Sequence, residues 1–142
     1  MRLGLIKTYV VQVGGVQEVF GMIQEDMALE WKFKHLFEAS RSKPRIEVPV
    51  EELNVLDADV WFSPTGRAPT LRNIAHEFKR VEQVDPGCPA IIVRTIGLID
   101  GTHRLIKALL RGERSLACVE FDMEELKALP HKVQRGFGKS LP

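Results

Sequence analysis

With 142 residues, 44% of them hydrophobic and 27% charged, the chain has the makings of one globular domain with a modest core, and its composition excludes a disordered or fibrous protein. Its formal net charge of +1 selects no partner by itself, no apolar run approaches the length of a membrane span, and Lys7 interrupts the N-terminal apolar segment that a signal peptide would need. Cys88 and Cys118 lack C-x-x-C spacing, so a disulfide framework and a zinc site are not expected, and a reducing cytoplasm is.

Taken in chain order, Thr8–Val13 predicts a strand that ends at Gly14-Gly15. From Val16 to Ala39, Val16, Val19, Phe20, Ile23, Met27, Trp31 and Leu36 recur at helical spacing and predict a long helix, interrupted once by Gly21. Its aromatic stripe suits packing on a core or on a second copy of the chain better than base stacking by Trp31 or Phe33. The polar, basic connector Ser40–Pro44 closes this strand–helix extension, residues 1–44. Arg45–Val50 predicts a strand, with Pro49 marking an edge or an end. Glu51–Asp59 reads as a turn or short helical segment, and Ser63–Pro69 is turn chemistry throughout.

Thr70 reads as the N-cap of a helix to about Val84, with Leu71, Ile74, Ala75, Phe78 and Val81 on its buried face. The turn Asp85-Pro86-Gly87 leads to the strand Ala90–Val93, a hairpin at Thr95-Ile96-Gly97 and the apolar pair Leu98-Ile99. Asp100-Gly101-Thr102-His103-Arg104 then opens a helix that stops at Gly112, and Leu116–Phe121 supplies another strand. Glu124–Leu129 predicts a last helical turn, and Pro130–Pro142 a mobile segment within a basic tail, residues 127–142.

Charge is unevenly spread. Glu47–Asp59 holds five acids and no Lys or Arg, whereas Arg94–Arg114 holds five Lys or Arg against Asp100 and Glu113. A basic side of this kind suits phosphate contacts, although each cluster taken alone also fits a solvated face. The Asp100–Arg104 loop concentrates the chemistry. A helix start leaves backbone N–H groups unpaired and carries partial positive charge, which makes it an anion site. Gly101 permits close approach, Asp100 or Thr102 can cap, and Arg104 in the first turn is favourable where a phosphate is expected. A plain capped helix with Arg104 paired to a carboxylate accounts for the same residues.

Set between a hairpin and a helix ending at a glycine, DGTHR resembles the phosphate-binding loop of the ParB/sulfiredoxin superfamily. ParB-like nuclease domains carry an Asp/Gly-x-His-Arg loop at this place, and sulfiredoxins carry Gly-Gly-Cys-His-Arg. The resemblance runs from about Arg45 to Asp122 and includes the entry strand Ile46–Val50, the helix after Pro69 and the strand ending in Val93. Thr102 stands where sulfiredoxin has its reactive cysteine, so sulfinic acid reduction is not expected.

The resemblance implies an α+β fold: a small mixed sheet with packed helices over residues 45–126. It also implies phosphoester chemistry, a DNase with possible ATPase activity. Asp100, His103 and Arg104 would be catalytic, with His103 as acid or base and Asp100 on the metal or orienting the histidine. Gly101, Thr102, Arg104 and Arg72 would hold nucleotide or phosphate, and Arg67, Lys107 and Arg111 would contact DNA. The implied cofactors are Mg²⁺ and ATP or CTP. Small plasmid-encoded members of the Osa fertility-inhibition type are similar in size and layout. They suggest a bacterial cytoplasmic protein that interferes with transfer of competing DNA and meets DNA, a nucleoside triphosphate and a component of the transfer machinery. A non-catalytic nucleotide-dependent clamp on DNA, and an inhibitor acting by protein–protein contact, are the alternatives, and the apolar N-terminal stripe makes a homodimer plausible.

Overall fold

The computed structural model describes residues 7–14, 16–85 and 87–136. Its strands are β1 (Lys7–Val13), β2 (Val16–Gln24), β3 (Met27–Lys32), β4 (Ile46–Pro49), β5 (Ala90–Val93), β6 (Gly97–Asp100), β7 (Ser115–Phe121) and β8 (Lys132–Arg135). Its α-helices are α1 (Phe33–Ser40), α2 (Leu71–Gln83), α3 (Thr102–Leu110) and α4 (Met123–Ala128). The fold is therefore α+β, in two compact units: Met1–Lys43 with Asp122–Pro142, and Pro44–Phe121. Among the described residues, no helix is long and apolar enough to cross a membrane.

The first unit is built on an antiparallel sheet in the order β1-β2-β3-β8. This corrects the long helix expected over Val16–Ala39, and with it the strand–helix extension: only Phe33–Ser40 is helical. Gln24 pairs with Met27 across the two-residue turn Glu25-Asp26, where Glu25 takes φ 57°. The β-branched residues Val16, Val19 and Ile23 favour this pleated backbone. Gly21 fits it for a steric reason: a Cβ there would lie 2.1 Å from the Tyr9 ring, which rests across the strand. Phe20 sits opposite Trp31, and with Phe33, Leu36 and Leu126 they form a fully buried cluster. The Trp31 indole donates to the Leu126 carbonyl at 2.8 Å, so its one polar atom is satisfied inside that core.

The expected mobile tail is corrected as well. Lys132–Arg135 forms β8 and pairs with Met27–Glu30 of β3, while Asp122 and Glu125 make a reciprocal capping box at the start of α4. The rest of the expected tail, residues 137–142, lies outside the described residues.

The second unit carries a mixed sheet in the order β4-β7-β5-β6, with β5 parallel to β7 and the other pairs antiparallel. Every residue of β5 is buried, as an interior strand requires. Ala90, Ile92, Leu105, Ala108, Leu116, Cys118, Val50 and Leu53 share one core. The Thr70 hydroxyl accepts from the Asn73 amide and so caps α2, as its sequence predicts. The face of α2 differs from expectation: Leu71 and Phe78 are exposed, and the buried residues are Val81 and an acid, Glu77.

Candidate functional site

The loop Asp100–Arg104 joins β6 to α3. Its N-cap is Gly101, at φ 111° and with no side-chain cap, so neither Asp100 nor Thr102 caps the helix as expected. A Cβ on Gly101 would lie 2.6 Å from the Ala90 Cβ and 3.1 Å from its Cα. The glycine therefore lets the start of α3 lie against β5. Trp61 Nε1 donates to the Thr102 hydroxyl at 3.0 Å, so Thr102 faces a 270 Å³ cavity whose walls are mainly apolar, among them Leu56, Trp61, Phe62 and Ile106.

Arg104 turns the other way. Its Nη1 donates to Asp100 at 3.2 Å and to the Pro89 carbonyl at 3.3 Å, and its Nε is buried with no partner among the described residues. The Asp100–Arg104 pair is a half-buried i,i+4 ion pair, with side chains 13% and 18% exposed. Arg104, Lys107 and Arg111, spaced three and four residues apart, line a single cleft of about 410 Å³ together with Arg114, Ser115, Glu47 and Glu113. Arg111 and Arg114 are exposed. Lys107 is already engaged, because its Nζ donates at 3.0 Å to the carbonyls of both Glu82 and Val84 and so caps the end of α2.

His103 faces α2. Its Nε2 lies 2.6 Å from Oε2 of Glu77, and its ring stacks on Trp61 with centroids 4.8 Å apart and planes at 13°. Glu77 is 2% exposed and also accepts from Arg67 Nη1 at 2.8 Å, with Arg80 3.8 Å away. Burial would raise the Glu77 pKa, but the hydrogen bonds from Arg67 and His103 overcome it and hold the carboxyl below its ordinary range. Burial lowers the His103 pKa in spite of the opposing pull of Glu77. Burial thus favours the neutral form of the ring. A carboxylate can only accept, so Nε2 carries the hydrogen, and in the neutral ring Nδ1 is then the acceptor nitrogen.

The expected site residues fall into separate groups. Arg104, Lys107 and Arg111 share one cleft with Asp100 behind them, while His103 and Arg67 converge on Glu77. Thr102 opens on a third face, and Arg72 is exposed in the first turn of α2 and lines none of these cavities. Sequence reasoning missed Glu77 and Arg114. An acid midway between Ile74 and Val81 on the inward face of α2 was the available signal for Glu77, and Arg114 lay at the end of the basic cluster. Among the described residues, no group of three or more His, Cys, Asp or Glu is placed to hold a metal.

No family model matches the chain, and neither curated proteins nor solved structures give a significant match.

Proposed function

We propose that residues 44–121 form a phosphoester-binding module of ParB/sulfiredoxin type, whose ligand is a nucleic acid backbone or a nucleoside triphosphate. One observation carries this reading: Arg104, Arg111 and Arg114, with Lys107, line one 410 Å³ cleft whose acids are Glu47 and Glu113, with Asp100 paired to Arg104 behind them. Guanidinium groups match phosphate oxygens in shape and charge, and the partly buried Arg104 interacts through a lower dielectric than the other two. Asp100 pre-orients Arg104 from behind.

The test is binding of a fluorescent DNA duplex, and separately of ATP and CTP with Mg²⁺, over a salt series. Each of Arg104→Ala, Arg111→Ala and Arg114→Ala weakens binding, and for DNA each lowers the salt slope by about one. No binding of either ligand at low salt overturns the proposal.

Hydrolysis is the second reading, favoured by the His103–Glu77 pair. A neutral imidazole oriented by a carboxylate is the usual arrangement of a general base. Mg²⁺ in such a reaction would rest on substrate phosphates and one carboxylate. Nicking of supercoiled plasmid by the protein, lost in His103→Ala, supports it. Interference with transfer of competing DNA is the biological setting that this chemistry fits.

A further inference from the structure

The first unit has a cavity of its own, of about 250 Å³, and the strand register explains it. Met22 of β2 lies opposite Leu29 of β3, which lies opposite Val133 of β8. Two residues further along, Gln24, Met27 and Arg135 form the next rung. Side chains two apart on a strand share a face, so both rungs share the face of the Phe20–Trp31 rung. That face is sealed at Phe20 and Trp31 and opens toward Arg135, where Met27 and Leu29 are only half-buried.

The open end has a marked polarity. Lys127, His131 and Arg135 line it, and none of its lining residues is an acid. The His131 ring is fixed by a 2.8 Å contact between Nδ1 and the Leu129 carbonyl and by stacking on Trp31. The floor is apolar, and two of its residues are methionines, whose unbranched side chains adapt to a ligand's shape.

We propose that this cavity binds a small organic anion: a carboxylate with a short apolar tail, the tail on Met22, Met27 and Leu29 and the carboxylate between Lys127 and Arg135. The volume falls below the ~300–1,000 Å³ of drug-sized sites, which limits the tail to a medium chain or a single ring. The proposal is independent of the phosphoester reading, because it concerns the other unit of the fold.

Octanoate is the probe, read by NMR of protein labelled with [¹³C]methyl methionine. Octanoate shifts the Met22 and Met27 signals saturably and leaves Met123 in place. Arg135→Ala and Lys127→Ala, both at exposed positions, each weaken binding by roughly tenfold, the loss of one charge-assisted contact. 1-Octanol, with the same tail and no charge, binds more weakly than octanoate. Val133→Asp, which puts an acid on the floor, also weakens octanoate binding, and an unmoved Met123 signal reports that the variants are folded. Failure of octanoate to produce a saturable shift, equal binding of 1-octanol, or undiminished binding by the Arg135→Ala/Lys127→Ala double variant overturns the assignment.

Discussion

The Nε2–H of His103 donates a hydrogen bond to Oε2 of Glu77 across 2.6 Å, and the accepting carboxylate is 2% exposed. The pair ties α3 to α2, and Arg67 joins it from the loop before α2. Removing the carboxylate strands an imidazole N–H and a guanidinium together. Glu77→Ala is expected to destabilise the protein by about 3 kcal/mol, the lower end for breaking a buried pair, because Arg67 and Arg80 are each 35% exposed and can turn to water. Urea unfolding of Glu77→Ala against the parent measures this, and a loss within experimental error would mean that the network carries no stability.

The same pair sets the acid limb of stability. Burial holds the folded His103 pKa below 6.5, so as pH drops from there the unfolded chain takes up its proton first and stability declines. The folded Glu77 pKa lies below 4.5, since its hydrogen bonds from Arg67 and His103 outweigh burial. Its contribution is therefore present above that pH and is lost on further acidification. Two stages of decline are expected, one beginning near pH 6.5 and one below 4.5. His103→Asn removes the first stage, while Arg67 preserves the second. A flat profile from pH 7 to 5, from urea midpoints, is the contrary result.

Gly101→Ala is expected to cost about 2–4 kcal/mol, since the new methyl would meet Ala90 at 2.6 Å in a backbone conformation at φ 111°. Ala90→Gly in the same chain relieves the methyl–methyl clash but leaves the unfavourable φ, so it recovers part of the loss. Thermal unfolding of the single and double variants separates the two contributions.

The second unit was largely legible because its signals are local. Thr70 caps a helix, Ala90–Val93 is uniformly apolar, and Gly112, at φ 73°, stops α3. The first unit was not. Val19 and Phe20, then Met22 and Ile23, put apolar side chains on both faces of β2, so the strand's alternation vanished and a helical spacing took its place. The turn Glu25-Asp26 carries no glycine or asparagine to mark it. β8 is only four residues long and is defined by its pairing with β3, about a hundred positions earlier. The site divided for a different reason. Asp100, His103 and Arg104 read as one cluster in sequence, but a helix turns about 100° per residue, so adjacent residues face different neighbours. His103 meets α2, whereas Arg104 meets the basic cleft.

Lys107, in the last turn of α3, and Arg111, its C-cap, lie about one turn apart yet should answer differently to mutation. The Lys107 ammonium is engaged by two carbonyls at the end of α2, whereas Arg111 is exposed in the cleft. Lys107→Met is therefore expected to lower stability by about 1 kcal/mol and to alter DNA affinity less than Arg111→Ala does. Arg111→Ala is expected to leave the urea midpoint in place while weakening DNA binding. A larger affinity loss from Lys107→Met than from Arg111→Ala would reverse the assignment.

Tyr9, the only tyrosine in the chain, offers a spectroscopic check on the first sheet. Its ring crosses β2 at Gly21, and its hydroxyl donates to Glu30 Oε2 on β3 at 2.5 Å. Burial, then the hydrogen bond to Glu30 and the charge of that carboxylate, push the phenol pKa well above its ordinary 10. The folded protein thus keeps a proton that the unfolded chain releases, so this contribution is fully present below pH 10 and fades as pH rises beyond it. Tyrosinate absorbance near 295 nm is expected to stay flat through pH 10 in the folded protein and to appear at the ordinary pH in 8 M urea. Glu30→Gln brings the folded transition back toward 10, and Gly21→Ala, which displaces the ring, does the same while destabilising the sheet. Titration of the folded parent at the ordinary phenol pH would show that the Tyr9–Glu30 contact does not hold in solution.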